Sequence, residues 1–386
     1  MKGKLHVPRI LLLIETSRVY GRQLIEGIGR YARENGPWLF SFEEQGLDEL
    51  SLRTLNLQHI DGVISRIRDP AMARRLQATG LPFVEMYGNP ITCKTHVTVD
   101  EEALVRMAAD HLLGLGLKHL GFFARQDQWW IVLRRRAFIT CLASLGHTCH
   151  VYSDPDTTLH TPLNQLRLQA EIVKWLKALP KPAGILCAND LEALTLLETC
   201  RQMGLVVPDQ IAVLGIDNDS VICSVAWPCL SSIDLDAQRI GYESAAFLAR
   251  MMANGRKRNV TIRVAPKEVL VRESTDVLAI ADSQIAKAVR LIRQFACKGL
   301  AVEHVSDHVG MCRRTLERRF KACMGCTLNE ELLRVKMEQA QRLLSQSNYP
   351  MKRISNLSGF GSLPCFTRAF RRETGETPGH YRRRTR

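Results

Sequence analysis

The 386-residue chain reads as two unlike parts, an α/β segment of two lobes followed by an all-α segment that carries two helix-turn-helix units. Three observations predict this. Short apolar runs alternate with helix-like stretches up to about residue 280. After residue 284 the strand-like runs stop, and an apolar helix, a glycine turn and an arginine-studded helix occur twice in succession. Residues 284–386 hold 21 Lys and Arg against 8 Asp and Glu, whereas the remainder holds 32 against 31.

The first strand is the apolar run Ile10 to Ile14, which stops at Glu15 and is too short to span a bilayer. Further strand-like runs are W-L-F-S-F at 38–42, G-V-I-S at 62–65, P-F-V-E-M at 82–86, H-L-G-F-F-A at 119–124, G-I-L-C-A at 184–188 and I-A-V-L-G-I at 211–216. Their alternation with helical stretches specifies parallel sheets with helices on both faces. Asp100, followed by Glu101, Glu102 and an apolar pattern that stops at Gly114 and Gly116, reads first as an N-cap and second as a ligand. Gly204 closes the helix begun near Asp190, and Pro208 opens the next turn. Gly27 and Gly29 lie inside a helical pattern and read as a packing site rather than a phosphate cradle.

In open α/β sheets ligands bind outside the carboxyl ends of the strands. The polar residues found there are Glu15, Glu85, Arg125, Asn189, Asp190 and Asp217. Singly, each reads as a cap or a turn. Several acids and amides converging with an arginine form a site for a polyhydroxylated solute, because every hydroxyl both gives and accepts a hydrogen bond. Trp129, Trp130 and Trp227 are candidates to stack on the apolar face of such a solute, against the alternative of core or lobe-interface packing. One of the three is expected to touch ligand.

The first repeated unit is V-E-H-V-S-D-H-V-G-M-C-R-R-T-L-E-R-R-F, from Val302 to Phe320. Val302, Val305 and Val309 recur at helical spacing, Gly310 supplies a left-handed turn residue, and Leu316 and Phe320 restart the apolar stripe. The second unit, I-S-N-L-S-G-F-G-S-L-P-C-F-T-R-A-F from Ile354 to Phe370, turns at Gly359 and restarts behind Ser362 as N-cap, with Pro364 in the first turn and Phe366 and Phe370 inward. Leu328 to Leu344 forms one amphipathic helix between them. The positive charge of this region suits phosphates.

The strings R-R-F-K-x-x-x-G, R-x-x-x-x-x-A-x-x-L-L, G-F-x-S and F-x-R-x-F-R-x-x-x-G-x-T-P-x-x-Y-R resemble the AraC/XylS type of DNA-binding domain over about residues 284–386. The resemblance implies that the second helix of each unit, within 302–321 and 354–372, enters the major groove of double-stranded DNA. It carries base-edge roles onto Arg314, Glu317 and Arg318, with Arg313 nearer the backbone, and leaves Thr367 and Arg368 for the second unit, where Leu363 and Pro364 occupy positions that often hold polar side chains. Three residues depart from the family pattern: Ser306 and Ser355 stand where alanine is usual, and Cys312 replaces the serine cap, at a cost of about 1 kcal/mol.

Upstream, D-E-E-A-L, H-L-L-G-L-G, H-L-G-F-F, R-R-R-A-F, G-I-L-C-A-N-D-L-E-A-L and G-L-V-V-P-D-Q-I-A-V-L-G-I-D-N-D are similar to the effector domain of LacI-type regulators and periplasmic sugar-binding proteins over about residues 8–275. That resemblance places Arg134 on the sugar-clamping arginine, with Arg135 and Arg136 one and two positions away, and Asn189 and Asp217 on the sugar-binding amide and acid. A sensor in front of an AraC-type reader is similar to a family of bacterial pentose regulators, which puts Glu15 and Tyr20 at the mouth of the cleft. The implied effector is D-xylose, with another pentose or a hexose left open. The implied division is lobe one at 8–98 and 235–254, lobe two at 100–230 and 258–275, crossings near 98–100, 230–236 and 254–260, a linker at 276–283 and a reader at 284–386. A homodimer formed through the sensor is expected to bind repeated half-sites upstream of sugar genes, and an activator would also meet RNA polymerase.

Twelve cysteines without a secretory signal point to a reducing compartment, and a cytoplasmic bacterial location, on the nucleoid when bound to DNA, is expected. The C-x-x-C pair Cys323 and Cys326 lacks a second pair and reads as structural, so no metal is expected. There is no H-E-x-x-H, G-x-S-x-G or Walker loop, and no catalytic residues or cofactor are assigned. A sugar-modifying enzyme and a sugar-binding protein without gene control remain the rival readings.

Overall fold

The computed structural model describes residues 6–42, 57–66, 70–88, 95–153, 162–254, 260–276 and 282–384. The chain divides into two compact units, Met1–Val277 and Leu278–Arg386. The first begins with β1 (Arg9–Leu13), α1 (Val19–Asn35), β2 (Leu39–Phe42), β3 (Gly62–Ser65), α2 (Pro70–Ala78), β4 (Phe83–Glu85), β5 (His96–Val99), α3 (Glu101–Gly114), β6 (His119–Ala124) and α4 (Trp129–Ser144). It continues with β7 (Cys149–Ser153), α5 (Pro162–Ala178), β8 (Ala183–Cys187), α6 (Asp190–Gln202), β9 (Ile211–Ile216), α7 (Ser220–Val225), β10 (Ser231–Asp234), α8 (Ala237–Asn254), β11 (Thr261–Val264) and β12 (Glu268–Leu270).

These strands form two six-stranded sheets, ordered β11-β5-β4-β3-β1-β2 and β12-β10-β9-β8-β6-β7. Apart from the antiparallel pair β10 and β12, the described pairs are parallel. Parallel strands require helical crossovers, which cover both faces and make the central strands apolar throughout, as in β8 and β9, where every residue is buried. Gly27 and Gly241 let α1 and α8 touch through backbone: a Cβ at Gly27 would stand 1.9 Å from the Gln238 carbonyl oxygen, and one at Gly241 would stand 2.0 Å from that of Leu24.

The chain passes from the first sheet to the second after Val99, returns after Asp234 through α8, and passes again between β11 and β12. The last passage corrects the expected crossing at 254–260 and the assignment of 258–275 to the second lobe. Thr261 to Val264 pair in parallel with His96 to Val99, so they belong to the first sheet, and only from β12 onward does the chain join the second. Residues 255–259, and 277–281 of the expected linker, lie outside the described residues.

The second unit is helical: α9 (Ser283–Phe295), α10 (Val302–Val309), α11 (Arg313–Met324), α12 (Leu328–Gln346), α13 (Met351–Leu357), α14 (Leu363–Thr374) and α15 (Pro378–Arg384). The turns between α10 and α11 and between α13 and α14 contain Gly310 at φ 70° and Gly359 at φ 74°. At Gly359 the need for glycine is double, since a Cβ would also stand 2.7 Å from the Ala296 carbonyl oxygen. Helix α12 serves two cores. Leu328 and Leu332 pack with Val305, Leu316 and Phe320, whereas Ala340 and Leu344 pack with Ile354, Phe366 and Phe370. A capping box between Thr327 and Glu330 starts α12, and the Ser362 hydroxyl accepts the Cys365 N–H at 3.4 Å at the start of α14. Cys312 makes no cap bond to backbone; its thiol donates to the Thr315 hydroxyl at 3.0 Å.

Candidate functional site

Between the two sheets lies a cleft built from the segments that leave the carboxyl ends of the strands. Glu15 follows β1, Arg66 follows β3, Glu101 follows β5, Asn189 follows β8, Asp217 follows β9 and Leu235 follows β10, and all six line it. Helix α1 adds Tyr20, and α4 adds Trp130 and Arg134 one turn apart.

Arg134 is its most firmly set group. The side chain is buried, donating from Nε and Nη2 to the two Glu101 carboxylate oxygens, each at 2.9 Å, and from Nη1 to the Ala188 carbonyl at 2.7 Å. A guanidinium has five N–H groups, so two remain for a ligand. Its carbon lies 5.1 Å from the centre of the Trp130 ring, and Trp130 Nε1 donates to Gln128 at 2.8 Å. Arg135 turns away to Asp127 at 2.6 Å, and Arg136 lines a different pocket beside α3.

Asp217 stands at φ 108° in the turn after β9. Among the described residues its carboxylate accepts no hydrogen bond. Burial pushes it up to about 6, while the nearby Arg134, Arg66 and Arg18 pull it down. Asn189 caps α6, its Oδ1 accepting the Glu192 N–H at 2.9 Å, which leaves the amide N–H groups for the cleft it lines. Glu15 is buried and accepts from Ser17 at 2.5 Å, with Arg18 and Arg66 at 3.7 and 3.9 Å. Arg66 also lies over the Tyr20 ring at 5.2 Å. Burial pushes the Tyr20 phenol up to about 12, so it stays a donor.

Other candidates fall outside this gathering. The buried Glu85 carboxylate accepts the Tyr87 and Gly88 N–H groups at 2.5 and 2.9 Å and does not line the cleft. Trp129 faces the pocket beside α3, and Trp227 is 55% exposed away from the cleft lining. Arg125 pairs with Glu192 at 2.9 Å. Asp100 caps α3 through the Ala103 N–H at 3.1 Å. The polar cleft residues that sequence reasoning missed are Arg18, Arg66, Tyr87, Thr98 and Glu101. Arg66 could have been found by the strand-end rule, since it immediately follows G-V-I-S.

In the second unit, Arg314 and Arg318 are exposed one turn apart on α11, and among the described residues neither forms an ion pair. Arg313 is held by Glu303 at 2.5 Å and by Glu317 at 2.9 Å, so Glu317 is partly engaged. On α14, Arg368 is exposed, Thr367 donates its hydroxyl back to the Leu363 carbonyl at 2.9 Å, and the Leu363 side chain is itself exposed. Among the described residues no cluster of three His, Cys, Asp or Glu could hold a metal ion, and no helix is long and apolar enough to cross a membrane.

Three family models match the chain: a XylR N-terminal domain over residues 9–99, a periplasmic binding protein-like domain over 109–275 and a helix-turn-helix domain over 305–384. The xylose operon regulatory protein of Haemophilus influenzae is 30% identical over 383 residues, covering 97% of this chain and 98% of that protein. That of Escherichia coli K12 is 30% identical over 385 residues, covering 97% and 96%. A solved structure described as the xylose-binding transcription activator xylR matches with a TM-score of 0.79 at 29% identity, covering 98% of both chains.

Proposed function

This chain belongs to the family of xylose operon regulatory proteins, which are DNA-binding transcription regulators, and from that premise we propose that its cleft binds D-xylose and that the sugar controls how the C-terminal helices engage DNA. The observation that carries the sugar reading is the set of unspent hydrogen-bonding groups around one cavity: the Asp217 carboxylate, the Asn189 amide and two N–H groups of Arg134. Glu15 and Tyr20 close one side, and the Trp130 ring offers an apolar face. Glu85, whose carboxylate holds the Tyr87 and Gly88 N–H groups, and Trp129, which lines the pocket beside α3, stand outside this cavity. Similarity to xylose operon regulatory proteins and to a xylose-binding activator favours xylose over other pentoses and hexoses.

DNA is read in this proposal by Arg314, Glu317 and Arg318 of α11, with Arg313 on phosphate and orienting Glu317. Helix α14 adds Arg368 and Thr367, with Leu363 suited to a thymine methyl. A homodimer bound to repeated half-sites upstream of sugar genes, activating through RNA polymerase in the bacterial cytoplasm, completes the reading. Thermal unfolding of the full chain against a panel of pentoses and hexoses tests the effector. D-xylose at a hundredfold excess over its dissociation constant stabilises the native state by about 2.7 kcal/mol, a measurable rise in Tm. A rise with a different sugar alone reassigns the effector, and no rise with any sugar refutes the sugar reading.

A further inference from the structure

The direction of the Asp217 carboxylate is set by its backbone, since among the described residues no hydrogen bond holds the side chain. That backbone is unusual. Asp217 and Asn218 adopt φ of 108° and 49° in succession, conformations that side chains disfavour and that the surroundings must impose.

Three side chains behind the turn impose it; Ser232 and Arg272 do not line the cleft, and Asp190 lines an adjoining pocket that shares Asn189 and Asp217 with it. Asp190, buried at the start of α6, accepts the Asp219 N–H at 2.7 Å through Oδ2 and the Ser232 hydroxyl at 2.6 Å through Oδ1. Ser232 Oγ in turn accepts the Asn218 N–H at 3.0 Å. Arg272 donates from Nη2 to Asn218 Oδ1 and from Nη1 to the Leu230 carbonyl, both at 2.8 Å. A planar guanidinium with two such bonds fixes the turn against the start of β10 as a more flexible ammonium would not.

Arg272 also opens the last described stretch of the first unit. Its N–H donates to Ser231 Oγ at 2.7 Å, the Ser231 N–H donates to Ser274 Oγ at 2.8 Å, and Ser274 Oγ donates to the Val213 carbonyl at 2.6 Å. Ser231, Ser274 and Thr275 are 0% exposed. A fully satisfied polar network of this kind is rigid.

We propose that Asp190, Ser232 and Arg272 are positioning residues for Asp217, and that Arg272 makes the turn at 217–219 and the segment 272–275 one hydrogen-bonded body. The inference rests on the reading of Asp217 as an effector ligand. Movement of the turn on sugar binding is thereby passed to the end of the sensor unit, which closes at Val277.

The test compares hydrogen–deuterium exchange and D-xylose calorimetry of the full chain with those of Arg272→Met and Asn218→Gly, which remove the same bond from its two ends. Asn218→Gly keeps the left-handed conformation accessible and serves if Arg272→Met folds poorly. Both variants are expected to exchange the 217–219 amides about tenfold faster, with the melting temperature little changed. D-xylose affinity is expected to fall roughly tenfold in each, with no further fall in the double variant, and Arg272→Lys is expected to recover part of it. Unchanged exchange at 217–219, or additive losses in the double variant, overturns the proposal. If instead Asp217→Asn binds D-xylose as the wild type does while the exchange result holds, the effector reading of Asp217 fails and the positioning of the turn stands.

Discussion

Asp217 carries the pH signature of the cleft. Burial pushes its carboxyl up to about 6, and in the proposed complex a sugar hydroxyl would donate to the ionised form. Binding therefore favours loss of the proton, and D-xylose affinity is expected to fall as pH drops through about 6, by up to about tenfold per pH unit below it. Calorimetry across that range reads the slope, and Asp217→Asn should flatten it; a flat wild-type profile would remove Asp217 from the sugar. Arg318→Ala is expected to weaken a specific site by about 1–3 kcal/mol while leaving random DNA much less affected, as quantitative gel retardation on both would show. Equal loss on both assigns Arg318 to phosphate. At this scale the sequence points to residues of the cleft lining where a residue follows a long apolar strand, as Asn189 and Asp217 do. It misled at Glu85, because the two N–H groups that occupy its carboxylate belong to a turn whose shape depends on tertiary contacts. Trp129 and Trp130 are neighbours about 100° apart around a helix, so only the placement of α4 decides which one faces the cleft.

The elements were most readable in the second unit, where left-handed glycines at 310 and 359 punctuate helices with clear apolar stripes. Long buried strands such as β6, β8 and β9 were equally plain. The short strand Thr261–Val264 was not assigned to its own lobe, because its partner in the sheet is His96–Val99, far away in sequence, and no local pattern encodes that pairing. Packing of α13 offers a test of an element in isolation. Ser355 is fully buried, and its hydroxyl has no hydrogen-bond partner among the described residues. Ser355→Ala removes that unsatisfied group and is expected to stabilise the second unit by about 1–3 kcal/mol. Urea unfolding monitored in that unit checks the sign. A loss of stability would mean that the hydroxyl is satisfied in solution.

For the whole molecule, the separation of charge is as informative as the fold. The 21 Lys and Arg against 8 Asp and Glu after residue 284 give the reader a strong attraction for phosphates, while the preceding residues are nearly neutral. DNA affinity should fall steeply with salt, the logarithmic slope being about −0.9 for each phosphate neutralised. A shallow slope would leave the basic surface without its proposed partner. The division of labour was visible in composition alone, but the coupling between sugar and DNA is a property of two conformations and has no signature in either part. The decisive measurement is the affinity of the full chain for the DNA upstream of its own gene, at one fixed salt concentration, with and without saturating D-xylose. Sequence-specific binding whose affinity or half-site occupancy changes with D-xylose is the predicted result. Specific binding that is identical in the presence and absence of the sugar would contradict the proposal that the cleft controls the reader.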